Sequence, residues 1–343
     1  MNGGAGDPAE SGSGDPAERW RAAEELPRVG HVWADGLLVP VGTPLLAATD
    51  RGFQLGDGVF ETIRVVAGRI LELPLHAERL RASAQALEIP VPADVEETLR
   101  IAIAELLAAD NLVSPGLVVS IRATLSRGPV EGRALLPPAV VHPTLVVQAA
   151  LVAPPPEEML VRGLRLATSS VRRDPASPLG AVKTTSRAEF VYARLEARRK
   201  GADDALFLTV DGHLAEATSA SIFLVRGGRL TRANRDAPAP VPATPAPAPP
   251  LPVLATPALA CGILAGTTRQ WLLQWAERSG LAIREDWLTP DELFAADEVF
   301  LASSVAGVLP VTGVDGRPIG DGRPGRWTLR ARAEREAFAR DGE

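Results

Sequence analysis

Lysine is close to absent from this chain. Of 36 lysine and arginine residues only two are lysine, Lys183 and Lys200, so chemistry that needs a primary amine has two places to go. Cysteine occurs once, at Cys261, which excludes an internal disulfide. No apolar run approaches the roughly 20 residues that cross a bilayer, and no basic amphipathic segment points to a membrane surface. No basic block marks a nucleic-acid partner, and acids and bases are mixed along a chain of net charge −6. The four histidines, His31, His76, His142 and His213, show no metal-ligand spacing, so no metal is expected. The N-terminus is rich in Gly, Ser, Pro and Glu, with no apolar signal core. Together these absences point to the cytoplasm. No G-x-G-x-x-G follows a strand and no Walker-type loop is present, which removes the common dinucleotide and triphosphate folds.

The hydrophobic content of 46% in 343 residues suffices for one large or two medium cores. Composition predicts a disordered tail over 1–26, a small α/β domain over 27–152 and a large domain over 153–343, with Pro154-Pro155-Pro156 as the linker. In the first domain, strands are expected on either side of Asp35-Gly36, from Val59 to Val66 and from Arg69 to Leu73. Leu73, Leu80, Ala84 and Leu87 repeat at helical spacing up to Pro90, and Val95 to Ala109 reads as a second helix. Leu117 to Thr124 and Thr144 to Leu151 read as strands. In the second domain a strand is expected near Leu164 to Ser169. Lys183 is then expected at the start of a helix running from Ser186 to Lys200. A meander follows: Ala205 to Val210, His213 to Val225, and a third strand from Gly227-Gly228. The Pro/Ala tract 236–252 cannot join a sheet, because proline lacks the backbone donor, and reads as an exposed insertion. Gly266-Thr267-Thr268 opens a helix that buries Trp271, Leu272 and Trp275, and Trp327 to Arg340 forms a C-terminal helix. The class is α+β with two domains. Its hairpins argue against a parallel Rossmann sheet.

Several short blocks stand out in order: Asp50-Arg51-Gly52-Phe53-Gln54-Leu55-Gly56-Asp57-Gly58-Val59-Phe60-Glu61-Thr62, His76-Ala77-Glu78-Arg79-Leu80, Lys183-Thr184-Thr185, Glu216-Ala217-Thr218-Ser219-Ala220-Ser221-Ile222-Phe223, and Gly262-Ile263-Leu264-Ala265-Gly266-Thr267-Thr268-Arg269. Ser303-Ser304 and Leu309-Pro310-Val311 close the series. This pattern resembles the fold-type IV enzymes that depend on pyridoxal 5'-phosphate, the class IV aminotransferase family, which includes branched-chain aminotransferases, D-amino-acid aminotransferases and aminodeoxychorismate lyases. The resemblance covers roughly Val29 to Arg340, interrupted by the Pro/Ala tract. It implies a D-amino-acid-aminotransferase-like fold with the active site between the domains, in a homodimer.

Each block also has a physical reading. Pyridoxal phosphate needs a lysine amine with a lowered pKa. The apolar approach Leu179-Gly180-Ala181-Val182 favours Lys183, whereas Lys200 ends an Arg-Arg-Lys-Gly run. The ring nitrogen needs an anionic partner, and the resemblance gives that role to Glu216. The phosphate needs donors, and a helix N-terminus at Gly266, Thr267 and Thr268 supplies N–H groups and hydroxyls. Arg79 and Ser304 complete that cup by resemblance. A substrate carboxylate needs a forked donor; Arg127 and Arg133 either fill that role or are solvated loop arginines. Phe60 and Val305-Ala306 line the pocket. Two positions depart from the family's pattern: Ser221 stands where many relatives have Asn, and Ala188 where branched-chain enzymes often carry Tyr.

The resemblance leaves two activities open. One is transfer of an amino group between an amino acid and a 2-oxo acid, with glutamate and 2-oxoglutarate as partner pair. The other is aminodeoxychorismate lyase activity, giving 4-aminobenzoate and pyruvate. A silent binding homologue is disfavoured by the intact Lys183 and Glu216.

Overall fold

The computed structural model describes residues 29–132, 134–227 and 251–342. The expected tail 1–26, the strand continuing from Gly228 and the tract up to Pro250 lie outside the described residues.

The first domain contains β1 (His31–Ala34), β2 (Leu37–Pro40), α1 (Arg51–Leu55), β3 (Gly58–Val66), β4 (Arg69–Ile70), α2 (Leu73–Ala86), α3 (Val95–Ala109), β5 (Val118–Ser126) and β6 (Thr144–Leu151). The strands form an antiparallel sheet in the order β2-β1-β6-β5-β3-β4. Leu73 opens α2 instead of ending a strand, with Pro74 in the first turn, where a missing N–H costs nothing. Leu80 and Ala84 of α2 and Leu99, Ile103 and Leu106 of α3 pack on Val59, Ile63 and Val65 of β3. Strand β3 is buried along nearly its whole length. Its alternation turns Val59, Glu61, Ile63 and Val65 toward the helices and Phe60, Thr62 and Arg64 to the opposite face.

The second domain contains α4 (Glu157–Arg162), β7 (Leu164–Arg173), α5 (Ala188–Arg199), β8 (Asp204–Thr209), β9 (Leu214–Ala217), β10 (Ser221–Arg226), β11 (Val253–Pro257), α6 (Thr267–Arg278), β12 (Ala282–Asp286), α7 (Pro290–Phe294), β13 (Glu298–Ser303), β14 (Gly307–Val314), β15 (Arg317–Pro318) and α8 (Arg326–Asp341). The sheet order is β12-β11-β10-β13-β14-β7-β8-β9, with β15 on β14. This sheet is mixed, because β7 runs parallel to both β8 and β14 and β11 runs parallel to β12. The expected hairpins are therefore only part of it. The single strand expected from His213 to Val225 is two: Ala217 N–H donates to Ala220 C=O in a tight turn that joins β9 to β10. That turn folds the sheet back on itself beside Glu216.

Helix α8 departs from the expected domain division by reaching back across the linker. Arg335 makes a bidentate pair with Glu72 at the start of α2 (2.9 and 2.8 Å). Glu336 does the same with Arg64 of β3 (3.0 and 2.7 Å). Ala339 packs against Val66 and Leu71. The short linker near Pro154 is thus not the sole tie between the domains.

The insertion site is also informative. Arg226 and Val253 are direct cross-strand partners of β10 and β11, so the chain leaves and re-enters at one point. Replacing residues 229–250 with a short Gly/Asn turn is expected to shift Tm by less than about 4 °C. A larger loss in a thermal melt would show that the tract contributes to the fold.

Candidate active site

A cavity of about 920 Å³ lies between the domains, with Phe60, Lys183, Glu216, Gly266 and Ser304 in its wall. Lys183 is not in a helix. It lies in the loop between β7 and α5, and that loop is docked on the first domain. Phe60 N–H donates to Lys183 C=O (3.0 Å), and Lys183 N–H donates to Ser83 Oγ on α2 (3.2 Å). Thr184 bridges Val59, and Thr185 Oγ donates to Gly56 C=O (2.8 Å). Gly56 has φ 67°, and a Cβ there would stand 2.3 Å from Ser186 Oγ. Only glycine allows this contact between loop and domain. The expected apolar approach does not bury the lysine, since Leu179 and Ala181 are exposed; Val182 alone packs on the first core. The cover comes from across the cavity, where Lys183 Nζ sits 4.6 Å from the Phe60 ring centroid. Burial, reinforced by Arg79 and Arg187 and opposed by Glu61 and Glu216, brings the amine down to about 8. An ammonium ion so placed gives up its proton far more readily than a free lysine.

One end of the cavity is the N-terminus of α6. Gly266 is its N-cap residue, no side chain caps it, and its first turn holds no acid. A Cβ on Gly266 would meet Ser221 Oγ at 3.2 Å and Arg269 Cβ at 3.3 Å, so glycine keeps the approach open. Free N–H groups at the positive end of a helix dipole suit a phosphate. Thr267 Oγ lies 3.1 Å from Ser304 Oγ, which brings the second hydroxyl to the same spot. Arg79 donates to Ala265 C=O (2.8 Å) and grips Glu61 with Nε and Nη2 (2.6 and 2.7 Å).

Glu61 and His76 went unassigned in the sequence, although both lie in the quoted blocks. Glu61 is fully buried and receives Arg79 on one side and His76 Nδ1 (2.7 Å) on the other. Burial alone would raise this carboxyl, but Arg79 and His76 hold it at about 2. His76 Nε2 in turn faces Thr267 Oγ at 3.4 Å. A signal was present: His76 and Arg79 are three apart on one helix, and Glu61 is a lone acid in an apolar strand.

Glu216 on β9 is buried opposite. Leu264 N–H donates to its Oε2 (3.3 Å) and Arg173 lies 3.6 Å from Oε1. Burial raises its pKa against the pull of Arg173, Leu264 N–H, Arg187 and Lys183. A phosphate donor set, a near-neutral amine and a buried carboxyl around one cavity fit the three reactive ends of pyridoxal phosphate.

The expected carboxylate fork needs correction. Arg127 does not line the cavity: its guanidinium is buried and spent on Asp57 (2.7 and 3.0 Å) and on the carbonyls of Leu87 and Glu88. Arg133 lies outside the described residues. The wall carries Arg122 and Arg187 instead. The Arg122 guanidinium sits 3.8 Å from the Phe60 centroid, and among the described residues no group pairs with it. Its place on β5, directly across the sheet from Thr62, turns it to the cavity side.

Fold and site together define a pyridoxal-phosphate enzyme of fold-type IV. The amino-transferase class IV family model matches residues 58–242 and 250–314. The chain therefore belongs to the class IV aminotransferase family, and it is a pyridoxal-phosphate-dependent transaminase by that membership. It is 29% identical over 312 residues to a branched-chain-amino-acid aminotransferase of Pseudomonas aeruginosa, covering 88% of this chain and 90% of the relative. It is 28% identical to an aminodeoxychorismate lyase of Vibrio harveyi, with 82% and 90% covered. The solved structure of T.th. branched-chain amino acid aminotransferase with pyridoxamine 5'-phosphate superposes with a TM-score of 0.77 at 28% identity, covering 92% of this chain and 95% of that one. Among the described residues no helix is long and apolar enough to cross a membrane, and no cluster of metal-ligand side chains occurs.

Proposed function

We propose that this enzyme moves an amino group between an amino acid and a 2-oxo acid, of branched-chain or D-amino-acid type, with Lys183 as the amine that carries the chemistry. The observation behind this reading is the placement of Lys183 Nζ, in a cavity with an uncapped helix end in one wall and a buried carboxyl in another. When bound, pyridoxal phosphate supplies an electrophilic carbon and a ring that withdraws electrons from the substrate Cα. Gly266, Thr267, Thr268 and Ser304 hold its phosphate, and Arg79 steadies that cup through Ala265 and Glu61. Glu216 keeps a proton on the ring nitrogen. Lys183 Nζ would take the substrate Cα proton and later give it up again, which a pKa of about 8 allows in both directions. Arg122 takes a substrate carboxylate over the Phe60 face.

Borohydride reduction of the loaded enzyme followed by peptide mapping is expected to place the pyridoxyl adduct on Lys183. An adduct on Lys200, or none, overturns the assignment. A panel of branched-chain, acidic and D-amino donors, followed by loss of cofactor absorbance, tests the transfer. A parallel assay for 4-aminobenzoate and pyruvate separates it from lyase activity, which would use the same lysine and glutamate.

Glu216→Gln is expected to lower kcat about tenfold or more at saturating cofactor while weakening cofactor binding less. The amide keeps a hydrogen bond to the ring nitrogen but cannot hold it protonated. Unchanged kcat would remove Glu216 from this role.

The proposal extends to a homodimer. Arg51 donates to the carbonyls of Ala134 and Leu135, which brings Leu135 and Leu136, 81% and 83% exposed, beside α1 and its 74% exposed Phe53. A clustered apolar surface of this kind suits a self-complementary contact. Sedimentation at micromolar concentration tests it; a fully active monomer contradicts it.

A further inference from the structure

We propose that Arg187 is a specificity-determining residue that holds the side-chain carboxylate of a dicarboxylic substrate. This deepens the aminotransferase reading and rests on it. The charges of the cavity wall lead to it. Arg79 is neutralised by Glu61 (2.6 and 2.7 Å), and Arg173 by Glu189 (2.8 Å) and Glu216 (3.6 Å). Of the three wall arginines without a carboxylate among the described residues, Arg172 donates to the backbone C=O of Ser169 on its own strand, which leaves Arg122 and Arg187. Both lie against Phe60, at 3.8 and 5.8 Å from its centroid, and the reacting amine of Lys183 lies 4.6 Å from the same ring. The phosphate donors sit on another element, α6, so the cofactor's phosphate does not meet this pair of charges. One substrate carboxylate answers Arg122 and leaves Arg187 bare.

Arg187 is also held ready. It sits at the N-cap of α5, four residues beyond Lys183. Its guanidinium stacks 3.2 Å from the Phe190 centroid and donates once, from Nη2 to Thr218 C=O (2.8 Å). A guanidinium has five N–H donors, and none of the unused nitrogens is sealed in protein. Burial, opposed by the more distant charges of Glu216 and Glu189 and reinforced by Arg173 and Arg122, lowers its pKa to about 10, so it keeps its charge at neutral pH. A half-buried cation covered by an aliphatic side chain would lose water and gain no partner. A carboxylate there gains a charge-assisted, forked contact. The Glu216 carboxyl does not serve, because it forms no ion pair with Arg187 and faces Leu264 N–H.

The test uses the cofactor-loaded enzyme and two variants. R187M keeps the apolar stem over Phe190, and R187K restores the charge. First, kcat/KM is compared for glutamate and aspartate against leucine and alanine. Second, the inert acids glutarate and 4-methylvalerate are titrated by cofactor absorbance. R187M is expected to lower the dicarboxylate-to-monocarboxylate ratio about 10- to 100-fold, mainly through KM, with R187K recovering part of it. Glutarate affinity should fall by the same factor relative to 4-methylvalerate. Equal losses for both acids would mean that Arg187 only braces Thr218, and would overturn the proposal. Should R187M fail to fold, R187Q carries the same comparison. A protein that turns over no donor overturns the aminotransferase reading, and the glutarate titration still reads Arg187. Turnover with a ratio indifferent to Arg187 overturns this inference alone.

Discussion

Lys183→Ala is expected to lower kcat for amine transfer by about two to four orders of magnitude, the range a positioned general base contributes. The variant removes both the amine that takes the cofactor and the base at Cα, while the backbone bonds that hold the loop on Phe60 and Ser83 remain. Added methylamine should restore part of the rate. Lys200→Ala is the natural control, because that side chain is exposed on Glu196 and Thr168 C=O. A pH signature accompanies the loss. Only the neutral amine is a nucleophile, and the Lys183 pKa is lowered from 10.5 to about 8. Capture of pyridoxal phosphate by the cofactor-free enzyme should therefore quicken as pH rises to about 8 and then level off. Turnover of Lys183→Ala within tenfold of the native enzyme would refute the assignment.

Glu61→Gln is expected to destabilise the fold by about 3 kcal/mol at neutral pH, the order of magnitude set by holding a buried carboxyl at about 2 instead of its ordinary value. The direction follows from the carboxyl being at about 2 when folded against 4.5 as its ordinary value. A carboxyl whose pKa falls on folding contributes stability above the unfolded value and loses it as pH falls through the folded one. The gap between native and Glu61→Gln stability should be full above about pH 5 and shrink toward pH 2. Urea unfolding at pH 7, 4 and 3 measures it. A gap that stays constant or widens in acid would show that Arg79 and His76 do not hold Glu61 ionised. The same variant should weaken cofactor binding, because Arg79 and His76 are the only links from Glu61 to Ala265 and Thr267 among the described residues.

The blocks that bear chemistry were legible because their chemistry is local. Gly266-Thr267-Thr268 reads as a helix start in any context, and two lysines leave little choice. The helices of the first domain were legible from apolar spacing, and α8 matched its expected span to within a residue at each end. What failed was long-range. Arg122 lies on a strand of alternating burial, and only pairing with β3 shows which face holds the cavity. Arg127 sits in a loop that looks solvated, yet Asp57, seventy residues earlier, buries it. The parallel pairs β7–β8 and β7–β14 join strands far apart in sequence, and nothing in their composition distinguishes them from hairpin strands. The hold of α8 on the first domain was likewise unreadable, since Arg335 and Glu336 look like any charged helix surface until Glu72 and Arg64 face them.

The loop docking of Lys183 separates the order of the chain from the order of its mechanics. The lysine follows the linker in sequence, yet its backbone is bonded to β3 and α2, while Glu216 belongs to the second sheet and the α6 start, though reached by Arg79 and His76, follows Glu216 in the chain. The two domains therefore hold opposite ends of one bond-forming distance. A hinge motion that parted them would draw the amine away from the helix end and the carboxyl together, and the Arg335–Glu72 and Arg64–Glu336 clasps resist that motion. Cutting either clasp, by Glu72→Gln or Glu336→Gln, should therefore quicken loss of the cofactor from the loaded enzyme on dilution.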